Sequence, residues 1–152
     1  MGERCMKHIE QHWKTLTVSA NDFFNTGNFE QALSNYQEAL YRAEVINDHR
    51  SECLEFNIPT IQIFVISCNN LANTYIELCR LEDAERMLTR VIYYLLYLVK
   101  DGDISSDEVR NELKRAGVAL MVFGQEHSDK QSQEANFQLL KEELTEYEIL
   151  KK

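Results

Sequence analysis

Asn21, Asn69, Asn70 and Asn73 are the residues of this chain best suited to holding another molecule. A carboxamide offers both a donor and an acceptor, which is what a peptide main chain needs from a partner. Four such side chains fall on two helical segments. Other spacings point less far. His8 and His12 stand four apart on a helical stretch, a metal-binding spacing, but no HExxH pattern or acidic third ligand accompanies them. They read as two partly exposed histidines. Residues 101–108 resemble the second half of an EF-hand loop ending in Glu108. Tyr97 and Val99, however, occupy the first and third ligand positions, which require oxygen. Ser105 and Glu108 instead read as a helix capping box. Cys5, Cys53, Cys68 and Cys79 form no CxxC pair, and Cys68 and Cys79 read as core residues. No Ser–His–Asp order, phosphate loop or paired-carboxylate motif stands out, so neither a catalytic residue nor a cofactor is assigned.

Six helical segments carry these residues. The first runs from about Met6 to Thr26, with Trp13, Leu16, Ala20, Phe23 and Phe24 on one stripe, and Gly27 supplies the left-handed stop. The second runs from Phe29 to about Asp48 behind Ala32, Leu33, Tyr36, Ala39 and Leu40. A polar connection, 47–57, follows, with helical pattern leaking in through Cys53 and Leu54. Pro59 opens the third helix at its first turn and Cys79 ends it. The fourth, from about Glu82 to Lys100, is apolar all round from Val91 to Val99. Taken alone that run could be a strand; helical spacing back to Ala84 and Leu88 decides for helix. Such a helix should be buried between neighbours, or turn one face to a second copy. Tyr93, Tyr94, Leu96 and Tyr97 would build that dimer face. The fifth helix runs from 105 to about Phe123, with Val109, Leu113, Ala116, Leu120 and Phe123 inside and Gly124 as punctuation. The sixth runs from about Lys130 to Leu150 behind Phe137, Leu140, Leu144 and Tyr147.

Composition fits this all-α reading. The 152 residues make one domain, 1–152, and hold a single proline and five glycines. Apolar residues make up 44% and charged residues 27%, the profile of a soluble globular chain. A net charge of −9 argues against nucleic acid and anionic membrane surfaces as partners. The polar N-terminus lacks a secretory h-region and the longest apolar run is too short to span a bilayer, so a cytoplasmic protein with reduced thiols is expected.

Two stretches repeat one order of small and large residues, 52 positions apart. Ala20, Phe23, Gly27, Ala32, Tyr36 and Ala39 recur as Ala72, Tyr75, Cys79, Ala84, Leu88 and Val91. The pattern resembles the tetratricopeptide repeat (TPR), a helix-turn-helix hairpin with small residues where its helices cross. The resemblance covers about 13–46 and 65–98, with Ala116 as a crossing residue in a looser third unit. It departs from the family in spacing, since TPR units run about 34 residues, and in lacking the proline after the second helix.

The resemblance implies a right-handed superhelix of three antiparallel hairpins, about 6–48, 59–100 and 105–150. It implies an adaptor or chaperone-like scaffold that holds a peptide segment of a protein partner along a concave face. Lys14, Thr17, Asn21, Asn25, Asn69, Asn70, Asn73, Glu77, Arg110 and Lys114 fall on or near that face by register. Some TPR domains clamp a terminal carboxylate there; Asn21, Asn70, Arg110 and Lys114 match, while Thr17 replaces the first lysine. Phe23 is expected inside, where truncation to alanine costs about 3–5 kcal/mol.

Overall fold

The computed structural model describes residues 2–101 and 106–127 together with Gln138, Lys141 and Glu142. Six helices and no strand occur among them: α1 (Glu3–Asn25), α2 (Phe29–Asp48), α3 (Arg50–Glu55), α4 (Thr60–Glu77), α5 (Leu81–Asp101) and α6 (Ser106–His127). The chain divides into two compact units, Met1–Met87 and Leu88–Lys152.

In the first unit α1 packs along α2, and α2 along α4. The alanines expected at helix crossings are all in the core. Ala20, Ala32, Ala72 and Ala84 are fully buried, and Ala39 is nearly so. A buried methyl group lets neighbouring backbones approach more closely than a larger side chain would. Tyr36, Tyr75 and Trp13 fill the space beside them and are all buried. Phe23 is the exception: it is only half-buried, so its truncation should cost less than a core aromatic.

The hairpin turns show the 52-residue repeat at atomic level. Gly27 (φ +82°) donates its N–H to Phe24 O and Asn28 donates to Phe23 O, at 3.1 and 2.8 Å. Cys79 (φ +58°) donates to Ile76 O and Arg80 to Tyr75 O, at 3.0 and 2.8 Å. Both are Schellman caps, in which a left-handed residue lets two N–H groups turn back onto the helix's last carbonyls. Each turn then feeds the next helix in the same way, with Ala32 N–H on Asn28 O and Ala84 N–H on Arg80 O. Phe24 and Phe29 meet edge to face across the first turn at 5.1 Å. In the second turn, Ile76 and Leu81 occupy those places.

Four expectations are corrected. The polar connection 47–57 contains α3, which ends in a third Schellman cap: Asn57 (φ +60°) donates to Leu54 O, and Ile58 to Cys53 O. The buried Cys53 and Ile58 anchor this extra turn. Pro59 stands just ahead of α4 rather than within its first turn. Cys79 is exposed and not a core residue, because the left-handed cap turns it to solvent, whereas Cys68 is buried. Gly124 does not end the fifth helix; it is buried inside α6, which continues to His127.

In the second unit Val91, Ile92, Leu95, Leu96 and Leu98 of α5 are buried, as are Val109, Leu113, Ala116, Leu120 and Phe123 of α6. The latter recur every three or four residues, which is one face of a helix. Leu88 is buried too. α5 is not covered on every side: Tyr93 and Tyr97 are 49% and 58% exposed, one turn apart. A phenol tolerates this because its hydroxyl remains hydrated while the ring packs. Leu96 is buried within the chain and is therefore unavailable to the expected dimer face, while Tyr94 is half-buried. Ser105 and the sixth expected helix apart from Gln138, Lys141 and Glu142, and so Phe137, Leu140, Leu144 and Tyr147, lie outside the described residues.

Candidate functional site

Helix α4 carries the densest part of the site. Gln62, Ile66, Asn69, Asn70, Asn73 and Glu77 recur at helical spacing and share one side. Ile66, Asn73 and Glu77 are exposed, and Asn69 and Asn70 half-buried. The opposite side of the same helix holds Phe64, Cys68, Leu71 and Tyr75 in the core. One strip of carboxamides with an apolar seat at Ile66 is thus held on a helix whose other side is fixed by packing. Beside the strip, Thr74 donates its hydroxyl to Asn70 O at 2.8 Å and Ser67 donates to Ile63 O at 2.7 Å. These bonds bury the hydroxyls without using the asparagine side chains.

A cross-helix bond ties α1 to the helix that carries this strip. Buried Trp13 donates its indole N–H to Ser67 Oγ at 2.8 Å. Ser67 lies about one turn before Asn70, and both Ser67 and Leu71 are buried, so core residues edge the strip on that side. Removal of one partner of such a buried bond leaves the other unsatisfied, at about 1–3 kcal/mol.

Asn21 stands on α1 at the place that Asn73 holds on α4, 52 positions on. It is exposed, but its amide is not idle: Tyr36 on α2 donates its hydroxyl to Asn21 Oδ1. Burial raises the Tyr36 phenol above its ordinary 10.0, which keeps the hydroxyl protonated and able to donate. The neighbouring Asn35 likewise bridges helices, donating to Ser19 Oγ at 3.1 Å. Gln37 donates to the Tyr75 hydroxyl at 3.3 Å, and the Arg80 guanidinium lies 4.8 Å over the Tyr75 ring.

The remaining residues named from the sequence are distributed more widely. Lys14 is exposed and lies 4.0 Å from Glu10, a carboxylate set in the core edge; Thr17 is half-buried and Asn25 exposed. A shallow depression of about 430 Å³ follows the adjacent side of α1, between Gln11 and Asp22, and shares only Lys14 with the expected groove. Arg110, half-buried, and Lys114, exposed, both lie on α6 in the second unit. His8 and His12 are exposed on α1, and no cluster of three or more metal-ligating side chains occurs among the described residues. No described helix is long and apolar enough to cross a membrane.

The role of Tyr36 toward Asn21 escaped the sequence reading, because the two are fifteen residues apart on different helices. The signal existed: a tyrosine at the bulky position of the first hairpin, where the second has Leu88.

Fold and site together define an all-helical protein with a duplicated hairpin turn and an amide-rich helix face. Residues 11–149 match a family model described as protein of unknown function (DUF2753), and the chain belongs to that family. No curated protein and no solved structure matches it.

Proposed function

We propose that the chain is a TPR-like protein-interaction module that holds a peptide segment of a protein partner against the amide face of its first helices, α1 and α4. The observation that carries this reading is the pair of matching turns at Gly27 and Cys79. Counted from those turns, Asn21 and Asn73 stand at equivalent positions of two equivalent hairpins. Repetition of one hairpin repeats one binding surface, and recurring amides suit a ligand whose own donors and acceptors recur, as a peptide main chain's do. The reading makes the protein a non-enzymatic cytoplasmic adaptor or chaperone-like scaffold with no cofactor. The test is the double variant Asn70→Ala, Asn73→Ala. It should weaken capture of the partner while leaving the protein folded, since Asn73 is exposed and Asn70 only half-buried. Undiminished capture would remove the face assignment.

A second reading, self-association, is favoured by one observation: Tyr93 and Tyr97 present two exposed rings one turn apart on α5. Aromatic rings of this kind are enriched at interfaces. Sedimentation should then show a dimer that Tyr97→Asp dissociates, and a monomer at micromolar concentration would exclude it.

A further inference from the structure

We infer that the amide face selects a peptide segment carrying an acidic and a large apolar side chain three residues apart, the acid met by Lys14 and the apolar side chain by Ile66. The inference rests on the peptide-groove reading and names the class of segment that the groove takes.

Lys14 on α1 and Ile66 on α4 stand at equivalent positions, 52 apart, as Asn21 and Asn73 do. The bond from Trp13 to Ser67 fixes how these two helices face each other. It joins the residue before Lys14 to the residue after Ile66, so Lys14 and Ile66 lie at about the same level. Successive residues turn by about 100° around a helix. One step on from Trp13 and one step back from Ser67 therefore carry Lys14 and Ile66 off the line between the helices. Equivalent helices of two equivalent hairpins run the same way, so both steps lead to the same side. Asn21 and Asn73 follow seven residues later, nearly two full turns, and share that side about 10 Å away. All four are exposed, Ile66 at 42%.

One row of the face thus offers a cation on α1 and an apolar side chain on α4, and the next row an amide on each. Lys14 lies 4.0 Å from Glu10, beyond hydrogen-bond reach, so that contact occupies none of its three donors. Packed helices lie about 8–10 Å apart. A polyproline-type segment rises about 3.1 Å per residue with three residues per turn, so side chains three apart point the same way at about 9 Å. Like-facing side chains of a β-strand fit less well, at about 7 Å for two residues and about 13 Å for four. The chain's net charge of −9 leaves room for an acidic ligand at this place. Asp22 lies about 12 Å along α1 from Lys14, and Glu77 about 16 Å along α4 from Ile66. Both distances exceed the screening length of about 8 Å at physiological salt. Glu10 is nearer, but its side chain is only 10% exposed whereas that of Lys14 is 55% exposed.

The experiment selects a displayed library of random nonapeptides on the immobilised full chain and sequences what is enriched. Peptides with Asp or Glu three residues from Leu, Ile, Met or Phe, in either order, should be enriched. The gain should be at least about threefold over the same residues two or four apart. On Lys14→Glu, the enriched peptides should carry Lys or Arg in place of the acid at the same spacing. On Ile66→Ser, the apolar preference should vanish while the acidic one remains. Both positions are exposed, so both variants should keep the wild-type helical circular dichroism. Enriched peptides without the acid–apolar pair at this spacing, or with the same charge preference on Lys14→Glu, overturn the inference. The groove reading outlives that result if the peptides still bind Asn70→Ala, Asn73→Ala more weakly. Equal binding to that double variant removes the groove reading instead, and a library that yields no enriched peptide overturns both.

Discussion

Exchanging the residues of the two hairpin turns gives a stability change whose sign is set by backbone geometry alone. Cys79 sits at φ +58°, where a side chain's Cβ crowds the following carbonyl at about 1–2 kcal/mol. It is exposed, so its thiol contributes little burial. Cys79→Gly removes the clash but raises the entropy of the unfolded chain, at about 0.4–1 kcal/mol. The net expectation is a gain of about 0.5–1 kcal/mol. Gly27→Ala runs the other way. Nothing lies within 4 Å of the Cβ it would add, so no steric contact is at stake, but φ is +82°. The same two contributions now combine to a loss of about 0.5–1 kcal/mol. Urea unfolding at constant m-value reads both, and heat unfolding should move the midpoint by about 2–4 °C per kcal/mol in a chain of this size. A Cys79→Gly variant less stable than wild type by more than about 0.5 kcal/mol would refute the equivalence of the two caps. Loss of that kind would mean that the thiol makes contacts which outweigh the backbone strain.

Other outcomes follow from the packing and the titrating groups. Tyr75→Ala should cost about 3–5 kcal/mol, whereas half-buried Phe23→Ala should cost only about 1–2 kcal/mol; denaturant midpoints compare them directly. Ser67→Ala should destabilise by about 1–3 kcal/mol because it strands the buried indole N–H. Trp13→Phe loses the same bond while Ser67 keeps its acceptor at Ile63, so a coupling energy near zero in a double-mutant cycle would contradict the assignment. Burial, then the nearby Glu52 and Glu10 carboxylates, raise the Cys53 thiol above its ordinary 9.0. The unfolded chain therefore loses that proton first. Cys53's contribution is fully present below pH 9.0 and is lost as pH rises through the folded value. Stability should fall in that alkaline range, and less steeply in Cys53→Ala. Thiol titration of the native protein should find Cys5 and Cys79 fast, and Cys53 and Cys68 slow.

The hairpins were legible because small residues at fixed spacing leave few ways to pack two helices. Ala20, Ala32, Ala72 and Ala84 had only one role available, and Gly27 marked a left-handed position that its counterpart Cys79 then shared. α3 was harder to read, since a six-residue helix offers less than two turns of periodicity. Its best marker was Asn57, one of the few non-glycine residues that accept a positive φ. For α5 the sequence left two readings open, burial on every side or an outward face that included Tyr93 and Tyr97. Hydropathy treats a tyrosine as apolar, whereas α5 needed only Val91, Ile92, Leu95, Leu96 and Leu98 to build its buried side. The amide face on α4 was visible as a spacing, but its coupling to the rest of the fold through Trp13 and Ser67 links residues 54 apart, beyond the reach of any local pattern.

The central claim is that the amide face of the first helices holds a peptide segment. Its most direct measurement is affinity capture by the full chain and by the Asn70→Ala, Asn73→Ala variant, with bound proteins identified and one binding segment then titrated as a peptide. The account predicts a specific partner whose peptide binds at least about tenfold more weakly to the variant, the loss of about 1.4 kcal/mol that one or two hydrogen bonds supply. Equal affinity for both proteins, with both equally folded, would contradict it.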